Sequence, residues 1–231
     1  YKLVVAPMLY MVRPGVAERI ASFVQAGGTF VATYWSGIVD ENDLVFLGGF
    51  PGPLREVLGI WAEEIDALYE GDANAVVPVA GNDLGLGGPY VARELCDLIH
   101  AEDAEVLATY GGDFYAGRPA LTVNQFGQGQ AYYVASRNDE RFLDDLYGAL
   151  DARLDLLRSL PAVLPAGVSA QMRSDGAHRY RFVMSFRAEA VPVDLGEGTY
   201  VDLLTGSKVG GEVMLDPYGV MVLGDQATGP T

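Results

Sequence analysis

Few side chains in this chain have the type and spacing that catalysis needs, and Ser36 is the first to test. It follows a β-branched and aromatic run, Thr29 to Thr33, and precedes Gly37, the setting in which a nucleophile elbow would present a serine. The elbow requires glycine two positions to either side, and Tyr34 and Ile38 stand there instead. Neither histidine supplies a base: His100 ends a strand of the first half and His178 lies in a turn of the second. Ser36 therefore reads as a turn serine. Cys96 sits inside the apolar run LCDLI, where a free cysteine is a small core residue and not an activated thiolate. Asp40, Glu41 and Asp43 crowd one loop but lack the alternation and the distant glutamate of a calcium loop, so they read as a solvated acidic tip. A glycosidase needs two carboxylates about 5–10 Å apart, one with a raised pKa, and no pair stands out among the 31 acids. Tyr110, Phe114, Tyr115, Tyr132 and Tyr133 could stack on sugar, yet aromatics on strands usually fill a core or an interface. Gly85-Leu86-Gly87-Gly88 lacks the strand-to-helix setting of a phosphate loop and reads as a turn. No catalytic, cofactor-binding or metal-binding residue is assigned.

Composition narrows the partners. The net charge of −16 opposes nucleic acid and anionic membrane, because both are bound largely through Lys and Arg. Half the 231 residues are hydrophobic, enough for a real core, and no apolar run approaches the ~20 residues of a membrane span. A single cysteine leaves no internal disulfide and suits a reducing compartment, so a cytoplasmic location is expected. The chain opens on Tyr1 and runs directly into LVVAPML. Such a run is what a parallel strand buried on both faces looks like, and the chain is accordingly read as a piece of a longer polypeptide.

The elements follow from periodicity. Leu3 to Met8 is the first strand. Pro14 opens a helix on which Val16, Ile20, Phe23 and Val24 share a face, and Gly27 stops it. With the strand at Thr29 to Thr33 this makes a βαβ unit. A long loop follows, whose apolar residues Val45, Phe46, Leu47 and Phe50 alternate with Gly and Pro; loops of that kind rim sites or contact other chains. Pro53 to Gly59 is a short helix and Trp61 to Leu68 an ambiguous, extended segment. Val76 to Val79, Leu95 to Ile99 and Val106 to Tyr110 are strands, and Leu121 to Gln125 with Gln130 to Ala135 flank the hairpin turn of Phe126-Gly127-Gln128-Gly129. Asn138 is placed at the N-cap of a helix whose Phe142, Leu146, Leu150, Leu154 and Leu157 form one stripe as far as Leu160. Asp139, Asp144, Asp145, Asp151 and Asp155 read as its wet face. Pro161 and Pro165 mark a linker, after which the period changes to two. Strands at 168–172, 180–186, 191–195, 200–204, 213–215 and 220–223, with turns at Gly196-Glu197-Gly198 and Gly210-Gly211, predict a small antiparallel sandwich. The predicted domains are residues 1–160 and 161–231.

These blocks carry a resemblance. The stretch from Gly27 to Ile60, then LCDLIHAEDAEVLATYGGDFYAGRPALTVNQFGQGQAYYVAS, then LPAGVSAQ, YRFVMSF and VDLLTG resemble, in order and over nearly the whole chain, the C-terminal part of the glycoside hydrolase family 42 β-galactosidases. The resemblance implies a middle α/β domain through which three subunits associate, of the flavodoxin-like or class I glutamine amidotransferase-like kind, followed by a small β-sandwich domain. It also implies an upstream TIM barrel holding both catalytic glutamates, so none of them falls on this chain, and further αβ elements upstream of Tyr1. The amidotransferase cysteine would fall near Tyr34 to Ser36, where there is none, which implies a scaffold without that chemistry. The implied function is the non-catalytic oligomerisation and C-terminal portion of an enzyme that removes terminal non-reducing β-D-galactose residues. Its expected partners are two further copies, the barrel and, through the parent enzyme, β-galactosides. Tyr34, Trp35, Phe46 and Phe50 are the candidate assembly or active-site-wall residues. An independent amidotransferase-like hydrolase and a carbohydrate-binding β domain stay open as alternatives at this point.

Overall fold

Strand β1 (Leu3–Ala6), helix α1 (Val16–Gln25) and strand β2 (Thr29–Thr33) form the predicted βαβ unit in the computed structural model, which describes residues 1–225. β1 and β2 pair in parallel, Leu3 opposite Thr29 through Ala6 opposite Ala32. Every residue of β2 is buried, whereas β1 is the edge strand of its sheet and is only half-buried, with Val5 exposed. Among the described residues β2 is thus buried throughout, and β1, paired on one side by β2, is half-buried. On α1 the expected face is inward: Val24 is buried, and Val16, Ile20 and Phe23 pack against the core.

The long loop after β2 ends in a 3-10 turn, Gly52–Leu54, that continues into the one-turn helix α2 (Arg55–Leu58). Six strands then follow, β3 (Ile60–Ala67), β4 (Asn74–Pro78), β5 (Tyr90–Ala101), β6 (Glu105–Tyr110), β7 (Pro119–Phe126) and β8 (Gly129–Val134), before the short β9 (Ser136–Asn138) and helix α3 (Glu140–Leu154). The sheet order is β1-β2-β8-β7-β6-β4-β5-β3, with β9 on β5. Only β1, β2 and β8 run parallel; the remaining pairings are antiparallel. The domain is thus a mixed sheet and not the largely parallel, doubly wound sheet that a flavodoxin-like reading predicts. The connections explain why. Parallel neighbours need a crossover of a dozen or more residues, and between β5 and β8 the links are turns, which join antiparallel strands. The ambiguous segment resolves as β3, with Ile60 paired to Ala101 and Ala67 to Leu95.

α3 begins one residue later than predicted. Asn138 is the last residue of β9, and the Asp139 side chain accepts the N–H of Phe142 at 2.9 Å as the cap. The helix also stops at Leu154, because Asp155 turns left-handed and closes the chain onto Asp151. Phe142, Leu146 and Leu150 are buried, while Leu157, beyond the end, is exposed.

The chain divides after Leu156. From Leu157 on it forms one antiparallel sheet of β10 (Val168–Ser174), β11 (Arg179–Ser185), β12 (Val191–Asp202), β13 (Lys208–Leu215) and β14 (Val220–Asp225), in the order β10-β11-β14-β12-β13. This is a single five-stranded sheet, not the two sheets of a sandwich. The predicted turn at Gly196-Glu197-Gly198 is instead an irregularity within β12, where pairing to β13 shifts register between Asp194 and Thr199. Gly210-Gly211 likewise lie inside β13. Two predicted strands therefore merge into one twelve-residue strand, since a bulge absorbs the extra residues that a sequence pattern reads as a turn.

Candidate assembly site

The exit of β2 is knitted to the exit of β1 by two hydroxyls. Thr33 Oγ1 accepts the N–H of Met8 at 2.8 Å. Ser36 Oγ accepts the N–H of Leu9 at 2.9 Å and donates to the Thr33 carbonyl at 2.7 Å. Ser36 is fully buried, so its hydroxyl is a structural tie. Between these ties the Tyr34 N–H extends the ladder to the Val134 carbonyl at 2.7 Å, and Trp35 takes a left-handed backbone with φ 55. The Trp35 ring is partly exposed and meets Tyr10 edge to face at 6.0 Å. A bulky residue at positive φ is a real outlier. The positive φ thus falls on Trp35, one residue before Ser36, which the glycine rule did not signal.

Asp97 supports this turn from β5. Its Oδ2 accepts the Trp35 N–H at 3.0 Å and the Tyr133 O–H at 2.6 Å. Its main chain is fixed too: its N–H donates to the Ala135 carbonyl at 2.7 Å, and the Tyr110 O–H donates to its carbonyl at 3.1 Å. Asp97 is 1% exposed, and its Oδ1 has no hydrogen-bond partner among the described residues. Burial pushes its carboxyl up to about 6, against the opposing pull of Tyr133 and the Trp35 N–H. A carboxyl whose pKa is higher folded than unfolded contributes most to stability below the unfolded value, near 4, and that contribution is lost as pH rises through about 6. Asp97→Asn keeps an acceptor and cannot ionise. Thermal melts from pH 4 to 8 should show the variant gaining on the wild type as pH rises, by on the order of 3 kcal/mol at pH 8.

The loop that follows is ordered by its own polar groups. Asp40 accepts the N–H groups of Asn42 and Leu44 at 2.8 and 3.1 Å, an Asx-type turn, and Asp43 accepts the Tyr10 O–H at 3.0 Å. The acidic tip is thus used in turn bonding. Ile38 and Val39 are buried, and Val39 bridges to Met11 and Val45. Of the candidate residues, Tyr34 is half-buried and Trp35 partly exposed, while Phe46 and Phe50 pack inward against the core. The outward apolar residues are their neighbours Leu44, Val45 and Leu47, the last 98% exposed. The loop's composition named Val45 and Leu47, but which apolar side chains face out depends on a turn that periodicity does not report.

The other tested groups lie elsewhere. Cys96 is buried, and desolvation pushes its thiol up to about 11. His100 pairs with Glu63 at 2.8 Å and stacks on Trp61, and His178 pairs with Asp175 in the second unit. Tyr110, Tyr115, Tyr132 and Tyr133 are core residues, whereas Phe114 is exposed. Among the described residues no group of three or more His, Cys, Asp or Glu side chains could hold a metal ion, and no helix is long and apolar enough to cross a membrane.

Comparison with known proteins gives this geometry its context. The family model described as β-galactosidase trimerisation domain matches residues 1–157, and that of the β-galactosidase C-terminal domain matches residues 167–224. β-Galactosidase Pbg of Clostridium perfringens is 57% identical over 223 residues, which are 96% of this chain and 32% of that enzyme. Among solved structures, the cold-adapted β-galactosidase from Rahnella sp. R3 aligns with a TM-score of 0.86 at 54% identity, over 97% of this chain and 32% of that one. The β-galactosidase from Bacillus circulans sp. alkalophilus gives 0.88 at 50% identity, over 97% and 33%. The chain spans about a third of the length of the relatives it matches. By the extent of these matches, it belongs to the glycoside hydrolase family 42 β-galactosidases, of which it holds the trimerisation domain and the C-terminal domain.

Proposed function

We propose that this chain is the non-catalytic assembly and C-terminal portion of a cytoplasmic homotrimeric β-galactosidase. The parent enzyme would remove terminal non-reducing β-D-galactose residues on a TIM barrel outside this chain, and the mixed-sheet domain would join its subunits and help wall the barrels' sites. The match of the trimerisation-domain model to residues 1–157 carries this reading. The apolar loop beside Trp35 supports it, since Leu44, Val45 and Leu47 are exposed side by side and such patches mark interaction surfaces. A lone, buried cysteine suits the cytoplasm. We also infer a flavodoxin-like or amidotransferase-like origin for the β1-α1-β2 and β8 portion. Its parallel pairing and the left-handed turn at Trp35, where that scaffold places a nucleophile, support this origin. Multi-angle light scattering on the full-length enzyme should give three times the subunit mass. A stable monomer that cleaves β-galactosides would overturn the assembly role.

A further inference from the structure

The turn at Trp35 holds a conformation that its own residue disfavours. In the left-handed region the Cβ of an L-residue crowds its own backbone, at a cost of roughly 1–2 kcal/mol, and such conformations persist where the surroundings over-determine them. The flanking residues are tied within the β1 and β8 region: Tyr34 to Val134, Ser36 to Leu9 and Thr33, and Gly37 N–H to the Leu9 carbonyl at 2.8 Å. The N–H of Trp35 itself reaches across to Asp97, 62 residues away in sequence. That carboxylate is poorly provided for. One oxygen takes both donors and the other has none among the described residues. If the turn opened, the buried group would keep Tyr133 alone, and a buried charge that loses a partner is costly. The ionised carboxylate therefore resists opening more strongly than a neutral group in its place would.

We propose that Asp97 is a positioning residue for Trp35, its buried carboxylate locking the Tyr34–Ser36 turn in the left-handed form and so setting the strength of subunit association without reaching the neighbouring subunit. The proposal rests on the assembly reading above. The titratable groups that face Asp97 are Tyr133 from β8, Tyr110 from β6, Cys96 on its own strand and Tyr34 from the turn. Burial raises the pKa of each of these four, so they stay neutral at neutral pH. Glu94 and Arg137, which act on Tyr34, pair with each other. Asp97 is thus the member of this cluster whose charge changes near neutrality.

The test uses the full-length enzyme and reads two things, amide hydrogen exchange of the segment 33–37 and the trimer dissociation constant by sedimentation. Asp97→Asn should speed exchange in that segment about fivefold at pH 8, the difference between a charge-assisted and a neutral hydrogen bond. It should weaken the trimer by a similar factor. Corrected for the intrinsic rate, wild-type exchange in the segment should slow as pH rises through about 6, and the variant should show no such step. The melting temperature of the variant should meanwhile rise at pH 8, as removal of a buried charge predicts, so that faster exchange of the segment in a more stable protein separates the lock from general loosening. In a Trp35→Ala background, Asp97→Asn should leave the trimer constant unchanged. Unaltered exchange of residues 33–37 in Asp97→Asn overturns the proposal. If Trp35→Ala alone left the trimer intact, the assembly role of the turn would fall, and the exchange data would still decide the lock. If Asp97→Asn failed to fold, the double variant with Trp35→Gly settles the matter, because glycine needs no lock at positive φ. Recovery of folding supports the proposal, and continued failure overturns it.

Discussion

Glutamate at both Val45 and Leu47 of the full-length enzyme is expected to turn the proposed trimer into monomers while leaving the melting temperature of the monomer nearly unchanged. Both side chains already face solvent, at 55% and 98% exposure, so neither contributes much to folding. In the proposed assembly, association would bury them. Each is worth about 1.5–3 kcal/mol when fully removed from water, and a carboxylate forced into the same place adds a desolvation cost of several kcal/mol. The combined loss exceeds about 4 kcal/mol, or three orders of magnitude in dissociation constant. Phe50→Glu is the control, because Phe50 packs against the core and a charge there should lower the melting temperature as well. Sedimentation velocity beside thermal melts separates the two classes. A trimer that persists in the double variant would place the loop away from the subunit boundary.

Leu44, Val45 and Leu47 show where sequence reading reaches its limit. The loop's apolar content was legible, and so were most of the elements: β2 from its β-branched run, α1 from its four-residue stripe, β7 and β8 from the turn between them. Local signals sufficed there because each element answers to its own periodicity. What failed was settled by neighbours. β1 has one strand neighbour among the described residues and is half-exposed, a fact about strand order that its apolar composition cannot carry. Gly196 to Gly198 reads as a turn by itself and becomes a bulge because β13 pairs with β12 on both sides of it. Asn138 and Asp139 are equally good caps by type, and the pairing of Asn138 with Ala92 in β5 leaves the cap to Asp139. The support of Trp35 by Asp97 joins residues 62 apart. The hint in the sequence is that Asp97 is a charged residue within the otherwise apolar run LCDLI.

The order of the loop has its own weak point, and Gly37→Ala should break it. Gly37 has φ +66, and a Cβ built there would stand 2.0 Å from the Pro51 carbonyl oxygen. Backbone, not a flexible side chain, occupies that space, so the two ends of the loop would have to separate. Gly48 in the same loop also has positive φ, at +99, yet a Cβ there meets nothing within 4 Å. Gly48→Ala therefore carries conformational strain alone, about 1 kcal/mol. Gly37→Ala adds a clash that relaxes only by moving Pro51 and the Phe46 and Phe50 side chains that pack against the core, for an expected total of about 3–4 kcal/mol. Chemical denaturation of the two variants should show that gap. The larger effect should also reach assembly, because the carbonyl of Ile38 holds the N–H of Phe46 at 3.0 Å, and Leu44, Val45 and Leu47 depend on that hydrogen bond for their place. Equal stability of the two variants would mean that the loop's closure at Pro51 is loose, and that its apolar residues find their positions only against a neighbouring subunit.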